Sequence, residues 1–226
     1  MKQARLDQLA DSIFAIVMTI LVFEIRVPDY GIQLSEKELF QAIVALSPVF
    51  LSYLLSFSLL FTYWRSHHFI ASILAKNIDT HFSNLNAIFF FFVALVPFSS
   101  SFLGSYSYSK IAIAFFAANI VLIGISLYVM RRYAVRSPVI ENTPFSRIEN
   151  EHAYMHILFP VAAAVLAVLL SFINNILALV LFTLAIIFNL WGKSTKYSFK
   201  LVELFRPKKE LKNAGNMLKS KHDENK

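Results

Sequence analysis

Apolar residues in this chain are gathered in long runs that short polar stretches separate. An α-helix needs about 17–25 predominantly apolar residues to cross the hydrocarbon core of a bilayer. Six runs approach or reach that length. They cover Leu9–Val27, Leu39–Tyr63, Leu85–Leu103, Ile111–Met130, Met155–Ile173 and Ile176–Trp191. The pattern predicts an all-α membrane protein with six transmembrane helices in each subunit.

The composition agrees with this class. Of the 226 residues, 57% are hydrophobic and 15% are charged, and 23 are phenylalanine, which is too apolar for a soluble domain of this size. The chain has no cysteine, so disulfides and thiolate metal sites are excluded. His152 and His156 are spaced i, i+4 and could hold a metal, but interfacial histidines are ordinary at the start of a span and no carboxylate motif accompanies them, so we predict no cofactor.

Lysine and arginine lie very unevenly about the predicted helices. Only Arg26, Lys37 and Lys110 fall on one side of the membrane, which leaves 18 of the 21 for the side that carries both termini. Because cytosolic loops carry the excess of Lys and Arg, we expect both termini to be cytosolic and the protein to lie in the cell membrane.

The end of the chain has a different character. From Lys193 onward there are ten Lys or Arg against four Asp or Glu, so residues 1–192 are predicted to form the membrane domain and 193–226 a basic cytosolic tail. An interfacial helix on an anionic inner leaflet and a solvated basic end both fit this tail. No recognition motif accompanies its charge, and we predict lipid but not nucleic-acid partners.

The first predicted helix carries charges that need an explanation. Arg5, Asp7 and Asp11 crowd its start, and Glu24 lies near its end. A charged side chain near the bilayer centre costs about 2.5–3.5 kcal/mol on insertion scales, so Asp11 and Glu24 need partners or water. The helix is therefore expected to face protein or a pore.

A single stripe along this helix is the candidate functional surface. Helical steps of three, four and seven residues place Ser12, Ile16, Thr19, Ile20 and Phe23 on one face. Asp11 lies about 140° from Ile16, behind the stripe, where it can pair with Arg5 or with another helix. Taken alone, such an aliphatic stripe is more often a helix-packing face than a gate.

A second cluster, Trp64, His67 and His68, lies at the cytosolic end of the second predicted helix. Adjacent histidines point about 100° apart on a helix, which disfavours a shared metal. Aromatic and basic residues are common interfacial anchors. We favour hydrogen bonds to the charged base of the first helix. Further along, Pro97 predicts a kink in the third helix.

These residues together resemble a known family. Arg5-x-x-x-Leu9-Ala10-Asp11 and the helix that follows resemble the Arg-x-x-x-Phe-Ser-Asp signature of the transmembrane-protein-175 potassium channels, an endolysosomal channel and its prokaryotic relatives. Leu9 and Ala10 stand where that signature has Phe and Ser. The Trp64, His67, His68 cluster and the stretch from Asn86 to Pro97 also look like this family, in its prokaryotic single-repeat form.

The resemblance implies a function. In this family the first helices of four single-repeat subunits line the pore, so it implies a homotetrameric, potassium-preferring cation channel that also admits other monovalent cations. Ile16 would form a hydrophobic constriction acting as gate and filter, Thr19 a hydroxyl ring, and Ile20 and Phe23 further apolar layers. The absence of an internal repeat also favours a pore built from several chains.

Two other classes of function compete with a channel, and a purely structural membrane scaffold also stays open because periodicity alone does not demand conduction. A secondary transporter would use Arg5, Asp11 and the His67–His68 pair to bind ions or relay protons, and it would need broken helices near the midplane. An enzyme would need nucleophiles or metal ligands that converge at one depth, and the sequence offers none. We therefore predict no enzymatic activity.

Overall fold

The computed structural model describes residues 3–27, 35–75, 77–141 and 147–190; the side chains of 73, 147–152 and 186–190 are outside the description. All regular secondary structure in these ranges is helical. The predicted basic tail, 193–226, lies outside the described residues, and its boundary at 192 stays a prediction.

Eight α-helices make up the described chain. They are α1 Gln3–Ile20, α2 Glu36–Ala45, α3 Ser47–His68, α4 Thr80–Ala94, α5 Val96–Ser105, α6 Lys110–Arg136, α7 Arg147–Ser171 and α8 Asn175–Leu190. A single 3-10 turn, Leu21–Glu24, prolongs α1, and a π-helix, Phe69–Leu74, prolongs α3.

Five helical stretches in the described ranges are long and apolar enough to cross a membrane. They are Gln3–Glu24, Ser47–Ser72, Thr80–Ser105, Lys110–Arg136 and Ala153–Ser171. A further apolar helix, α8, is shorter. The all-α class and the multi-pass membrane character agree with the sequence, whereas the count of six spans and the side of the termini stay predictions.

The second predicted span differs from the structure. We expected one helix over Leu39–Tyr63, but the chain breaks at Leu46, which separates α2 from α3. Pro48 explains the break, because it has no N–H for the carbonyl of Val44 and its ring would collide with that carbonyl in a continuous helix.

The start of α2 is capped as its sequence suggests. The Ser35 hydroxyl accepts from the Glu38 N–H, and the Glu38 carboxylate accepts from the Ser35 N–H at 2.8 Å, which makes a capping box. The hydrogen bonds from the Ser35 side chain and then from its backbone hold the pKa of Glu38 below its usual value.

The predicted kink at Pro97 is also present. Helix α4 ends at Ala94, Leu95 forms a turn, and α5 begins at Val96. The Ser100 hydroxyl then donates to the Ser52 carbonyl at 3.1 Å and ties α5 to α3. Asn119 of α6 donates to the Ser99 hydroxyl at 3.0 Å, so the redirected helix is held from two sides.

Small residues bring α3 and α5 into close contact. A Cβ at Gly104 would lie 2.6 Å from Ser52 Oγ and 3.0 Å from the backbone Cα of Val49. Close approach at glycine is a common way for membrane helices to pack without a hydrophobic driving force between them. Helix α5 also contacts the 3-10 turn that prolongs α1.

We expect Gly104→Ala to destabilise the fold by about 1–3 kcal/mol, the usual cost of overpacking. Alanine adds about 0.5–1 kcal/mol of helix propensity, which is too little to offset a collision with backbone. Thermal unfolding of the detergent-solubilised protein measures the effect, and Ser105→Ala, at the exposed neighbouring position, is the control. Equal melting temperatures for both variants would contradict this account of the α3–α5 contact.

Candidate functional site

Helix α1 has two faces of opposite character. Its buried side chains, each at most 5% exposed, are Leu6, Ala10, Phe14, Val17 and Leu21. The opposite face is open: Ile16 is 56% and Phe23 is 69% exposed. The subunit therefore presents an uncovered apolar stripe on a helix that is long enough to cross a membrane.

The four predicted pore residues all lie on this open face. Ile16, Thr19, Ile20 and Phe23 are exposed. Beside Ile16 and Ile20 runs an open groove of about 530 Å³ between α1 and the α4–α5 segment. Its other lining residues are Ile13, Val17, Glu24, Ala94, Pro97, Phe98 and Ser101. The stripe and groove form one continuous, mostly apolar surface.

The two hydroxyls on the stripe are oriented by the helix itself. Thr19 Oγ1 lies 2.9 Å from the Ala15 carbonyl and 2.8 Å from the Ile16 carbonyl, and Ser12 Oγ donates to the Gln8 carbonyl at 2.8 Å. A hydroxyl has a single hydrogen, so each of these groups uses its only donor in a hydrogen bond to a backbone carbonyl. The oxygen lone pairs remain available on the exposed face, and lone pairs are what a cation binds.

The opposite face of α1 is joined to the end of α3 by three polar contacts, which we call the polar ladder. Gln3 Nε2 donates to the carbonyls of Ala71 at 2.8 Å and Ala75 at 2.7 Å, with Ser72 O at 3.3 Å. Asp7 accepts from the Ser72 hydroxyl at 2.5 Å, and Asp7 Oδ1 lies 3.4 Å from His68 Nδ1.

The third rung joins Asp11 to Trp64, whose indole Nε1 donates to Asp11 Oδ1 at 2.8 Å. The Trp64 ring also stacks on His68, with centroids 5.9 Å apart, so the last two rungs touch. Steps of four residues separate Gln3, Asp7 and Asp11 on α1, which places them on one face. The same spacing relates Trp64, His68 and Ser72 on the facing segment.

The ladder sets the rotation of α1. At about 100° per residue, Asp7 lies about 180° from Ile16 and Asp11 about 140°. With the ladder formed against α3, the stripe must point away from α3. A rotation of α1 about its own axis would break all three rungs together.

His67 is part of a different contact from His68. It is fully buried and its Nε2 lies 2.7 Å from Asn86 Oδ1, while Asn86 Nδ2 donates to the Phe82 carbonyl at 2.8 Å. Because that bond fixes the Asn86 amide, Nε2 of His67 must carry the proton. The ring stacks on Phe89 at 5.1 Å and lies 6.4 Å from Phe14, behind the buried face of α1.

Arg5 is one of the two partners that the sequence left open for Asp11, the other being a residue of another helix. In the described part of the chain no ion pair or hydrogen bond joins it to Asp11, whose carboxylate binds Trp64 instead. Arg5 is exposed, about 20° from Ile16 around α1. The reason is angular: Arg5 and Asp11 lie about 120° apart on the helix, too far to meet.

Three residues of the ladder were missed by the sequence reasoning: Gln3, Asp7 and Ser72. The four-residue spacing of Gln3, Asp7 and Asp11 was a signal that could have identified them as one face. As for metals, no group of three or more His, Asp or Glu side chains that could hold an ion occurs within the described residues.

Known proteins match this chain in the same region. A family model described as the endosomal/lysosomal potassium channel TMEM175 matches residues 5–97, which include the stripe, the Pro97 kink and all of the ladder except Gln3. A potassium channel of Chamaesiphon minutus is 30% identical over 190 residues, which is 82% of this chain and 93% of the relative. The chain belongs to the TMEM175 potassium channel family.

Two further relatives of this TMEM175 family member cover less of it. A potassium channel of a Chryseobacterium species is 25% identical over 137 residues, which is 60% of this chain and 67% of the relative. A potassium channel of Streptomyces collinus is 30% identical over 105 residues, which is 46% of this chain and 49% of the relative. Members of this channel family are not enzymes, which agrees with the prediction of no enzymatic activity.

The buried His67–Asn86 contact of this TMEM175 protein gives a stability prediction. Asn86→Ala should cost about 1–3 kcal/mol, because it leaves a buried imidazole N–H without an acceptor. The double variant His67→Phe/Asn86→Leu should recover much of that loss, since replacing both partners by apolar groups can be nearly neutral. Unfolding midpoints of the three variants form the test. A double variant less stable than Asn86→Ala would contradict the inferred bond.

Proposed function

We propose that this protein is a homotetrameric, potassium-preferring cation channel of the cell membrane, with a pore lined by α1. Each subunit would have six spans, with α8 as the sixth and both termini cytosolic. Residues 1–192 would form the channel domain and 193–226 its basic tail. The observation that carries this proposal is the uncovered α1 stripe, opposite a ladder that holds it outward.

The residues on the stripe favour a pore over plain lipid contact. Lipid offers no hydrogen-bond partner to the hydroxyls of Ser12 and Thr19. It also does not solvate the charge of Arg5, and a charged group in lipid is costly. Around an axis shared by four subunits, the same residues would meet water and ions. The groove beside the stripe would then be covered by a neighbouring subunit.

Ion preference would come from partial dehydration at the constriction. Ile16 side chains from four subunits would form the narrowest ring, with Ile20 and Phe23 as apolar layers beyond it. Potassium holds its water less tightly than sodium, so an apolar ring hinders sodium more. The Thr19 hydroxyl hydrogens are bonded to backbone carbonyls, so the hydroxyl oxygens would be free to replace part of the lost water shell of the ion. No cofactor enters this mechanism.

Gating would use the same ring. Apolar side chains that close a pore far enough to expel water stop ions without a plug. Opening requires the α1 helices to separate or turn, and the polar ladder is the contact that resists such movement. Among the five predicted network residues, Asp11, Trp64 and His68 would act in the ladder and His67 behind Phe14.

Arg5 would have a different role from the other network residues. It lies about 16 Å from Ile16 along α1, at 1.5 Å per residue, on the side of the stripe. It would face the cytosolic mouth of the pore. The alternative of a secondary transporter built on Arg5, Asp11 and the histidines is not favoured, because the relatives are named channels and α1 is unbroken from Gln3 to Ile20.

The constriction is tested by Ile16→Asn. A polar ring keeps the pore wet, so we expect potassium flux into liposomes to rise about tenfold, equivalent to about 1.4 kcal/mol off the barrier. Ile125→Asn makes the same change at an isoleucine of α6 that is 48% exposed, against 56% for Ile16, and should leave the flux unchanged. Equal fluxes in both variants would argue against Ile16 as the constriction.

The hydroxyl ring is tested by Thr19→Ala and Thr19→Ser. Alanine removes the oxygen, so the reversal potential under potassium–sodium gradients should shift toward no preference. Serine keeps the oxygen and should keep the preference. A wild-type protein that does not prefer potassium, or an alanine variant with the same reversal potential, would count against this role for Thr19.

The third rung is tested by Trp64→Phe and Asp11→Asn. A rung of this kind is worth about 0.5–1.5 kcal/mol, which should change the open probability by roughly two- to tenfold while the single-channel reversal potential stays constant. Because both changes weaken one bond, the double variant should be no more severe than the stronger single variant. Additive effects would show that the two residues act separately.

A further inference from the structure

Helix α2 presents an apolar surface that is left exposed by the part of the chain that the structure describes. It contacts α3, and its only strongly buried side chain is Ala42, with Leu46 buried at the break that follows. Four large apolar side chains are exposed: Leu39 at 41%, Phe40 at 68%, Ile43 at 51% and Val44 at 54%. Exposed apolar clusters of this kind mark a binding surface.

The exposed side chains form one stripe. At about 100° per residue they fall within about 140° around the helix, in the order Leu39, Ile43, Phe40 and Val44. Lys37, Glu38 and Gln41 lie outside this arc. Glu36 falls within the same arc. It is the first residue of the helix, so the apolar stripe begins one turn after it, at Leu39. Helix α2 is therefore amphipathic from Leu39 to Val44.

The position of α2 in the chain places it at a membrane boundary. With 10 residues it is about 15 Å long, half of what is needed to cross the hydrocarbon core. It is separated by the Leu46 break from α3, which is part of a stretch long enough to span the membrane. The first turns of α3 also expose apolar side chains, such as Leu51 and Leu54. Large apolar side chains are thus exposed on both sides of the Leu46 break.

We propose that α2 lies flat in the membrane–water interface, with its stripe inserted among the lipid acyl chains beside the start of α3. Phospholipid fits this surface better than a second copy of the chain does. Four side chains on a three-turn helix offer far less than the roughly 800 Å² per partner that a standard protein interface buries. An amphipathic helix next to a span meets lipid without further assembly.

The charges on α2 define the class of lipid. Its first turn holds Glu36, Lys37 and Glu38, so the helix has a net charge of −1. It offers no cationic patch for anionic head groups. Insertion therefore rests on apolar burial and takes place in a zwitterionic phosphatidylcholine bilayer. This inference requires only the membrane location of the chain and holds whether or not α1 lines a pore.

The absence of cysteine makes the test direct, because a single engineered cysteine can be labelled alone. The full chain with Phe40→Cys or Ile43→Cys, carrying an environment-sensitive fluorophore, is reconstituted into phosphatidylcholine vesicles. Gln41→Cys, one residue from Phe40 and about 100° around the helix, is the matched control. Labelled protein that elutes as wild type in detergent shows that each variant is folded.

We expect labels at 40 and 43 to emit at shorter wavelength than the label at 41, to be quenched by lipids brominated on their acyl chains, and to resist iodide. The label at 41 should show the reverse. Equal iodide quenching at all three positions would overturn the proposal, because α2 would then lie in water. Protection at 40 and 43 without quenching by brominated lipid would also overturn it, in favour of cover by protein.

Discussion

The hydrogen bonds between the buried side of α1 and the end of α3 constrain the rest of this structure. A helix in a membrane gains little from apolar packing alone, because lipid is as apolar as its neighbours. Polar contacts with fixed geometry therefore decide its rotation. Gln3, Asp7 and Asp11 fall on one face, so they can be satisfied together in one orientation of α1. That orientation turns Ile16 and Thr19 away from their own subunit.

The packing behind α1 supports the same orientation. Phe14 lies against the ring of His67, which Asn86 and Phe89 hold from α4. The close contact at Gly104 also keeps α5 near α3. Prolines set the positions of both helix breaks, and each break redirects a segment that would otherwise be a plain span. The ladder, the buried histidine and the α3–α5 contact thus form a continuous scaffold for one exposed stripe.

Membership of the TMEM175 family gives this scaffold its context. A stripe of isoleucines with interspersed hydroxyls can face either lipid or a hydrated pore in a membrane protein. The ladder helps to separate them: a helix with charged residues on one side and Arg5 on the other is poorly suited to a position surrounded by lipid. In the proposed ring of subunits, one side of α1 would contact its own subunit and the other side would contact water and ions.

The amino-acid sequence determined the helical membrane class, the stripe on α1, the family and the Pro97 kink, because apolar length, helical period and proline geometry are local properties. The partner of Asp11, the ladder residues Gln3 and Asp7, and the separation of α2 from α3 were decided by the tertiary structure. The ladder contacts join residues 53 to 72 positions apart. No local period encodes which turn of one helix meets which turn of another, and only packed helices fix that register.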